Sequence, residues 1–337
     1  MSSPNVGIQI GASTAPGKLT DIAAEAERLG YEEIWVAEDY FELGGVASAA
    51  AALAATNRAS VGLGVVAAPA RHPAVTAMEF ATLAGVNPGR FLAGIGHGAS
   101  GWVQQMGLQP ASPIGLLREA TDAIRRLLEG SAISQNGEYF NFDHVRLADP
   151  PGEPVPIYLG VHGPASLRLS GELADGTLLG WFSSPGYVSW ARKRIDEGRT
   201  RACREDPHDL VVLCLLSVSE DDPAAARRDL GRWAAPMLAG MVGSSQLEAS
   251  PAGLELSAHL ARTEPNSATQ GLPDELLGEF MAAGSTASCA ATVDRLMESG
   301  ADRVVLVPNP AGYRSTSCMV AQMRTASSLV RGGNLQP

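Results

Sequence analysis

Four short stretches carry side chains able to move a proton or hold an anion. Glu38-Asp39-Tyr40-Phe41 sets two carboxylates and a phenol in a row, and Ala70-Arg71-His72-Pro73 follows a run of small residues. Gly94-Ile95-Gly96-His97-Gly98 places an imidazole among glycines, and Gly160-Val161-His162-Gly163-Pro164-Ala165-Ser166 leads into a helix-starting proline. Carboxylates and imidazoles are the usual general acids and bases. Asp39 reads as the site carboxylate, whereas Glu38 reads as a helix cap or a surface ion pair. His72 reads as a helix-entry residue satisfied by backbone, ahead of Pro73 in the first helical position. Residues 160–166 read either as a plain strand-to-helix turn or as an anion site. In the second case the free amides of Ala165 and Ser166 would face the anion, and a phosphate suits them.

Gly96-His97-Gly98-Ala99-Ser100-Gly101 also matches the glycine pattern of dinucleotide-binding loops. That fingerprint should open a helix at once and be followed about 20 residues later by a strand ending in Asp or Glu. Leu117-Arg118-Glu119, near that spacing, falls inside a helical pattern instead, so the glycines are better read as allowing a ligand close to the backbone.

The elements that must position these residues alternate. Apolar runs of strand length recur at 6–10, 34–37, 61–66, 91–95, 157–161, 177–181, 210–218 and 304–308. Between them lie segments of helical period at 19–29, 46–55, 74–86, 114–128, 165–174, 186–204, 224–238 and 287–297, with a last one at 317–330. Continuous apolar strands separated by helices imply a parallel sheet covered on both faces. Eight such units fit a closed (β/α)8 TIM barrel in one domain, 1–337, better than an open doubly wound sheet. In that fold the chemistry sits at the carboxyl ends of the strands, where all four stretches fall. The segment 240–285, between the seventh helix and the eighth strand, is irregular, rich in Pro and Ser, and reads as an insertion or lid. Residues 136–156 precede the fifth strand, read as a short hairpin, and should lie on the opposite, structural face.

Composition narrows the partner. With 337 residues, 45% hydrophobic, and a formal net charge of -11, the chain reads as globular and repels nucleic acid and anionic membrane surfaces. No stretch reaches the roughly 20 apolar residues a membrane span needs, and the amino terminus lacks a signal-peptide pattern, so a cytoplasmic protein with a small-molecule substrate is expected. Cys203, Cys214, Cys289 and Cys318 are too scattered for a metal site or a disulfide framework. Lys18 and Lys193 are the only lysines, which disfavours Schiff-base chemistry.

In order and spacing, the 34–39, 64–73, 94–98 and 160–164 stretches, with Glu172-Leu173-Ala174-Asp175-Gly176, resemble the luciferase-like monooxygenase superfamily over nearly the full chain. The match is to its coenzyme F420-dependent branch. That resemblance implies a deazaflavin hydride carrier across the barrel mouth and a non-proline cis peptide at Gly64-Val65 behind its ring. It implies cofactor contacts from Asp39, Ala67, His97 and Gly98, and phosphate contacts from His162, Gly163, Ala165 and Ser166. It also implies a homodimer. Asp39, Tyr40 and His97 are the catalytic candidates. The chain departs from the branch at Tyr40, where relatives often carry His, and at Ala99, where the sugar-phosphate dehydrogenase carries a catalytic Glu. Tyr40 would need polarising by Glu38 or a neighbour to give up a proton. Trp102, Trp181 and Phe182 are candidate pocket walls or ordinary packing. The expected activity is hydride transfer between F420 and an organic substrate. FMN-dependent monooxygenation, a metal-dependent barrel hydrolase using Asp39, His97 and His162, and a non-catalytic cofactor-binding protein stay open as alternatives.

Overall fold

The computed structural model describes residues 6–262, 272–309 and 315–330. Eight parallel strands, Val6–Ile10, Glu33–Val36, Ser60–Leu63, Phe91–Gly96, Ile157–Gly160, Gly176–Leu179, Asp209–Val218 and Arg303–Pro308, each pair with the next, and the eighth pairs back to the first. The ring is closed, with Val6 opposite Val304 and Leu210 opposite Thr177. This is the (β/α)8 barrel that the alternation predicts.

The helices form where apolar residues recur on one face. Leu19–Leu29 buries Leu19, Ile22, Ala23, Ala26 and Leu29, and stops at Gly30, whose φ of 101° suits a residue without a side chain. Burying each large aliphatic side chain contributes roughly 1.5–3 kcal/mol. Among the described residues, six α-helices open on a proline in the first turn, at Pro73, Pro113, Pro164, Pro185, Pro223 and Pro251. This punctuation sets where each helix leaves the barrel mouth.

Inside the ring, glycines make room for three large side chains. A Cβ on Gly62 would fall 2.4 Å from the Trp35 ring, and one on Gly176 would fall 2.3 Å from the Tyr158 ring. Trp35 and Tyr158 meet edge to face at 5.5 Å. Their polar atoms end in a charged floor: Trp35 Nε1 donates to Glu33 at 2.6 Å, Tyr158 donates to Asp209 at 2.7 Å, and Arg303 bridges the two carboxylates. Higher up, Val65 fills the space left by Gly96 and Gly160, where added Cβ atoms would lie 2.6 and 2.8 Å from it.

Three expectations change. Strand three is not continuous over 61–66: it breaks after Leu63, the Gly64-Val65 peptide is cis, and Val66–Ala67 resumes against the fourth strand alone. The 240–285 segment is largely helical rather than irregular, with Ser245–Glu248, Pro251–Arg262 and Asp274–Phe280 followed by a short strand, Ala282–Gly284, beside strand seven. Its residues 263–271 lie outside the described residues. Prolines and serines misled the sequence reading because here they start and cap helices: Ser250 accepts from the Gly253 amide at 3.0 Å. The hairpin does form, as Ile133–Asn136 against Asn141–Val145, but its tip climbs to the mouth. There Glu119 accepts from the Tyr139 and Phe140 amides, and Phe140 and Phe142 pack on His72 at 5.5 and 5.0 Å.

Candidate active site

The mouth is built from the junctions after strands two to five. On the first, Glu38 is buried, its side chain 3% exposed, and takes both arms of the Arg71 guanidinium at 2.6 and 2.8 Å. Its second oxygen also accepts from the Gly45 amide at 2.9 Å, at the start of helix Gly45–Ala55. Glu38 is therefore both the cap and the ion-pair partner expected, but of the interior rather than the surface. With both arms on Glu38, the Arg71 guanidinium is committed to that carboxylate.

Asp39 is half-buried, and burial first, then the charges of Glu42 and Glu38, raise its carboxyl above the ordinary range. Tyr40 is pushed up to about 12 by burial and by the negative charge of Glu38, and its hydroxyl has no hydrogen-bond partner. Glu38 does not provide the polarisation that Tyr40 would need to give up a proton, because both Glu38 oxygens are taken. Tyr40 instead packs 6.2 Å from Trp102, linking the second and fourth junctions. Trp181 sits 5.8 Å from Trp233, and Phe182 is buried with a φ of 65°.

The fourth and fifth junctions meet directly. His97 Nε2 lies 3.0 Å from Ser166 Oγ, while His97 Nδ1 is buried without a partner. Burial lowers the His97 pKa, so its imidazole is neutral near pH 7. Gly98, at φ 72°, approaches Ala67 so closely that a Cβ there would lie 2.7 Å from the Ala67 Cβ. His162 is open to the mouth, yet surrounding protein desolvates its ring and holds it down at about 4. Tyr187 donates to the His162 carbonyl at 2.7 Å and pins that loop.

The helix that follows, Pro164–Leu173, differs from the other five that open on proline. Those are capped by the side chain of the preceding residue: His72, Ser112, Ser184, Asp222 and Ser250. Here that residue is Gly163, which offers no cap, so the amides of Ala165 and Ser166 keep open valences. These are the features an anionic group on a planar ring system would use: free amides for the anion, glycines for close approach, and an unpartnered imidazole nitrogen. Among the described residues, no group of three or more His, Cys, Asp or Glu side chains is placed to hold a metal ion, so Asp39, His97 and His162 do not form the hydrolase centre considered above. Sequence reasoning missed the Glu38–Arg71 clamp. Its signal was an isolated Arg after an apolar run, facing two adjacent carboxylates.

The 5,10-methylenetetrahydromethanopterin reductase of Archaeoglobus fulgidus is 31% identical over 294 residues, covering 83% of this chain and 86% of the relative. The F420-dependent glucose-6-phosphate dehydrogenase of Nakamurella multipartita is 33% identical over 234 residues, covering 65% and 69%. In fold, the chain superposes on an F420-dependent secondary alcohol dehydrogenase, solved with an F420-acetone adduct, with a TM-score of 0.79 at 20% identity over 98% and 99% of the two chains. The family model for luciferase-like monooxygenase matches residues 1–303, and the chain belongs to that family.

Proposed function

We propose that this protein is an oxidoreductase that uses coenzyme F420 to exchange a hydride with an organic substrate. The observation that supports the reading best is the uncapped helix start at Gly163, whose first turn brings Ser166 Oγ within 3.0 Å of His97 Nε2. Ala165 and Ser166, with His162 and Gly163, would take the cofactor phosphate. Asp39, Ala67, His97 and Gly98 would line its ring and side chain, and Gly64 and Val65 would support the ring from behind. When bound, the deazaflavin supplies a two-electron hydride acceptor or donor.

The residues of the chain then orient, exclude water and handle the proton. Asp39 is the best placed proton carrier, because its raised carboxyl holds a proton closer to neutrality than an exposed Asp does. Neutral His97 can accept at Nδ1 or donate there, depending on its tautomer. Tyr40, at about 12 and without a partner, serves better as a wall with Trp102 than as an acid.

Titration with F420 and with FMN, each followed by fluorescence, tests this. Tight binding of FMN with none of F420 would move the protein to the flavin monooxygenase reading, since both carry a ring and a phosphate. We also propose a homodimer. Helix Gly45–Ala55 has no charged residue, and on Pro73–Val86 the only one, Glu79, turns toward Arg71. Val75, Met78 and Val86 are left exposed there, a face that a second copy would cover. No helix among the described residues is long and apolar enough to cross a membrane.

A further inference from the structure

The first strand contributes a polar atom that no described residue pairs with. Gln9 is next to last on strand Val6–Ile10, and its register partner on strand two is Trp35. Laterally paired residues share a face of a sheet. Trp35 lies within the ring, against Gly62 and Gly64, so Gln9 also points inward, one residue short of the strand's mouth end. The residue is 2% exposed and its Oε1 has no hydrogen-bond partner. Two other polar groups of the barrel interior are engaged elsewhere: Trp35 Nε1 on Glu33, the Tyr158 hydroxyl on Asp209. The loop leaving the same strand buries a second orphan, Thr14 Oγ1, also 2% exposed.

A buried carboxamide oxygen without a partner destabilises the empty protein, and an apolar residue of the same shape would relieve that cost. Such a group persists where a ligand completes it. We infer that Gln9 is a specificity-determining residue of the substrate pocket, recognising an uncharged substrate through a hydroxyl, carbonyl or amide group. A carboxamide both donates and accepts, so it pairs with any of these, and it offers no charge to balance an anion. At the mouth, the Arg71 guanidinium that could have met an anion is already bound to Glu38. The inference deepens the hydride-transfer reading and rests on it for the reaction, but not for the contact.

The test compares the wild-type protein with Gln9→Met, which keeps the length and removes the amide, using Gln9→Leu as a second packing variant. Cofactor-free samples are screened by ligand-observed NMR against acetone, cyclohexanone, 2-propanol and acetamide. The expected result has three parts: fragment binding by wild type that falls about tenfold in both variants, a raised thermal midpoint in at least one variant, and F420 affinity unchanged within about twofold. Equal fragment binding by wild type and variants, or binding by neither, overturns the inference. So does a lowered midpoint in both variants, which would make the amide a structural group. A wild-type protein that binds fragments through Gln9 but not F420 would defeat the cofactor proposal and leave this one standing.

Discussion

Arg71 grips Glu38 through two parallel hydrogen bonds of 2.6 and 2.8 Å, and the third bond to that carboxylate comes from the Gly45 amide. One side chain thereby ties together the loops after strands two and three and the start of a helix. Removing either partner strands a charge in the interior, which typically costs 3–5 kcal/mol. Arg71→Met and Glu38→Ala are therefore expected to lower the urea midpoint sharply. The double variant should lose less than the sum, as a double-mutant cycle in urea would measure.

Val65 and Gly160 are matched in shape. A Cβ on residue 160 would lie 2.8 Å from a Val65 methyl, and its three nearest neighbours would all be atoms of Val65. Gly160→Ala should cost about 1–3 kcal/mol and weaken F420 binding. Adding Val65→Ala should restore part of the stability, because the branched methyls that clash are then gone. Chemical denaturation of the single and double variants checks both statements.

Ser166→Ala keeps the helix but removes the oxygen 3.0 Å from His97. One ordinary hydrogen bond is worth ~0.5–1.5 kcal/mol, so F420 should bind several-fold more weakly by fluorescence titration, with little change in thermal midpoint. An unchanged affinity would remove Ser166 from the cofactor site.

His208 is 7% exposed at the closed end of the barrel, with Nε2 on Thr177 at 2.9 Å and Nδ1 on the Ala174 carbonyl at 3.2 Å. Burial, and then the positive charges of Arg192, Arg199 and Arg204, hold it down at about 4, against 6.5 for a free imidazole. The unfolded chain therefore binds a proton that the folded one refuses. Stability is intact above about pH 6.5 and falls as the pH drops toward 4, by roughly 3 kcal/mol over the window. His208→Asn should flatten that slope in a series of urea melts at different pH.

Met78 is 53% exposed on the uncharged side of Pro73–Val86. Met78→Glu should convert a dimer to a monomer by light scattering, with F420 affinity retained. A wild-type protein that is already monomeric would refute the proposed interface.

The barrel was legible in the sequence because its period is repeated eight times, and because proline marks so many helix starts. The uncapped helix start was legible for a similar reason: Gly163-Pro164 declares a helix whose preceding residue has no side chain to cap it. What stayed hidden depends on contacts between distant residues. Glu38 and Arg71 are 33 positions apart, and no local pattern says that one will take up the other. Tyr40 needs polarising by Glu38 or a neighbour to give up a proton, but the Glu38 carboxylate is spent on Arg71 and Gly45. Residues 240–285 looked irregular because serine and proline are ambiguous locally. They break helices in the middle and start them at the end, and only the structure shows which applies.

The charged floor made by Glu33, Arg303 and Asp209, with Trp35 and Tyr158 above it, has a kinetic consequence. A chamber shut at one end has a single doorway. Two guests that share it must queue, so the one seated deeper has to arrive first and depart last, whatever the chemistry between them.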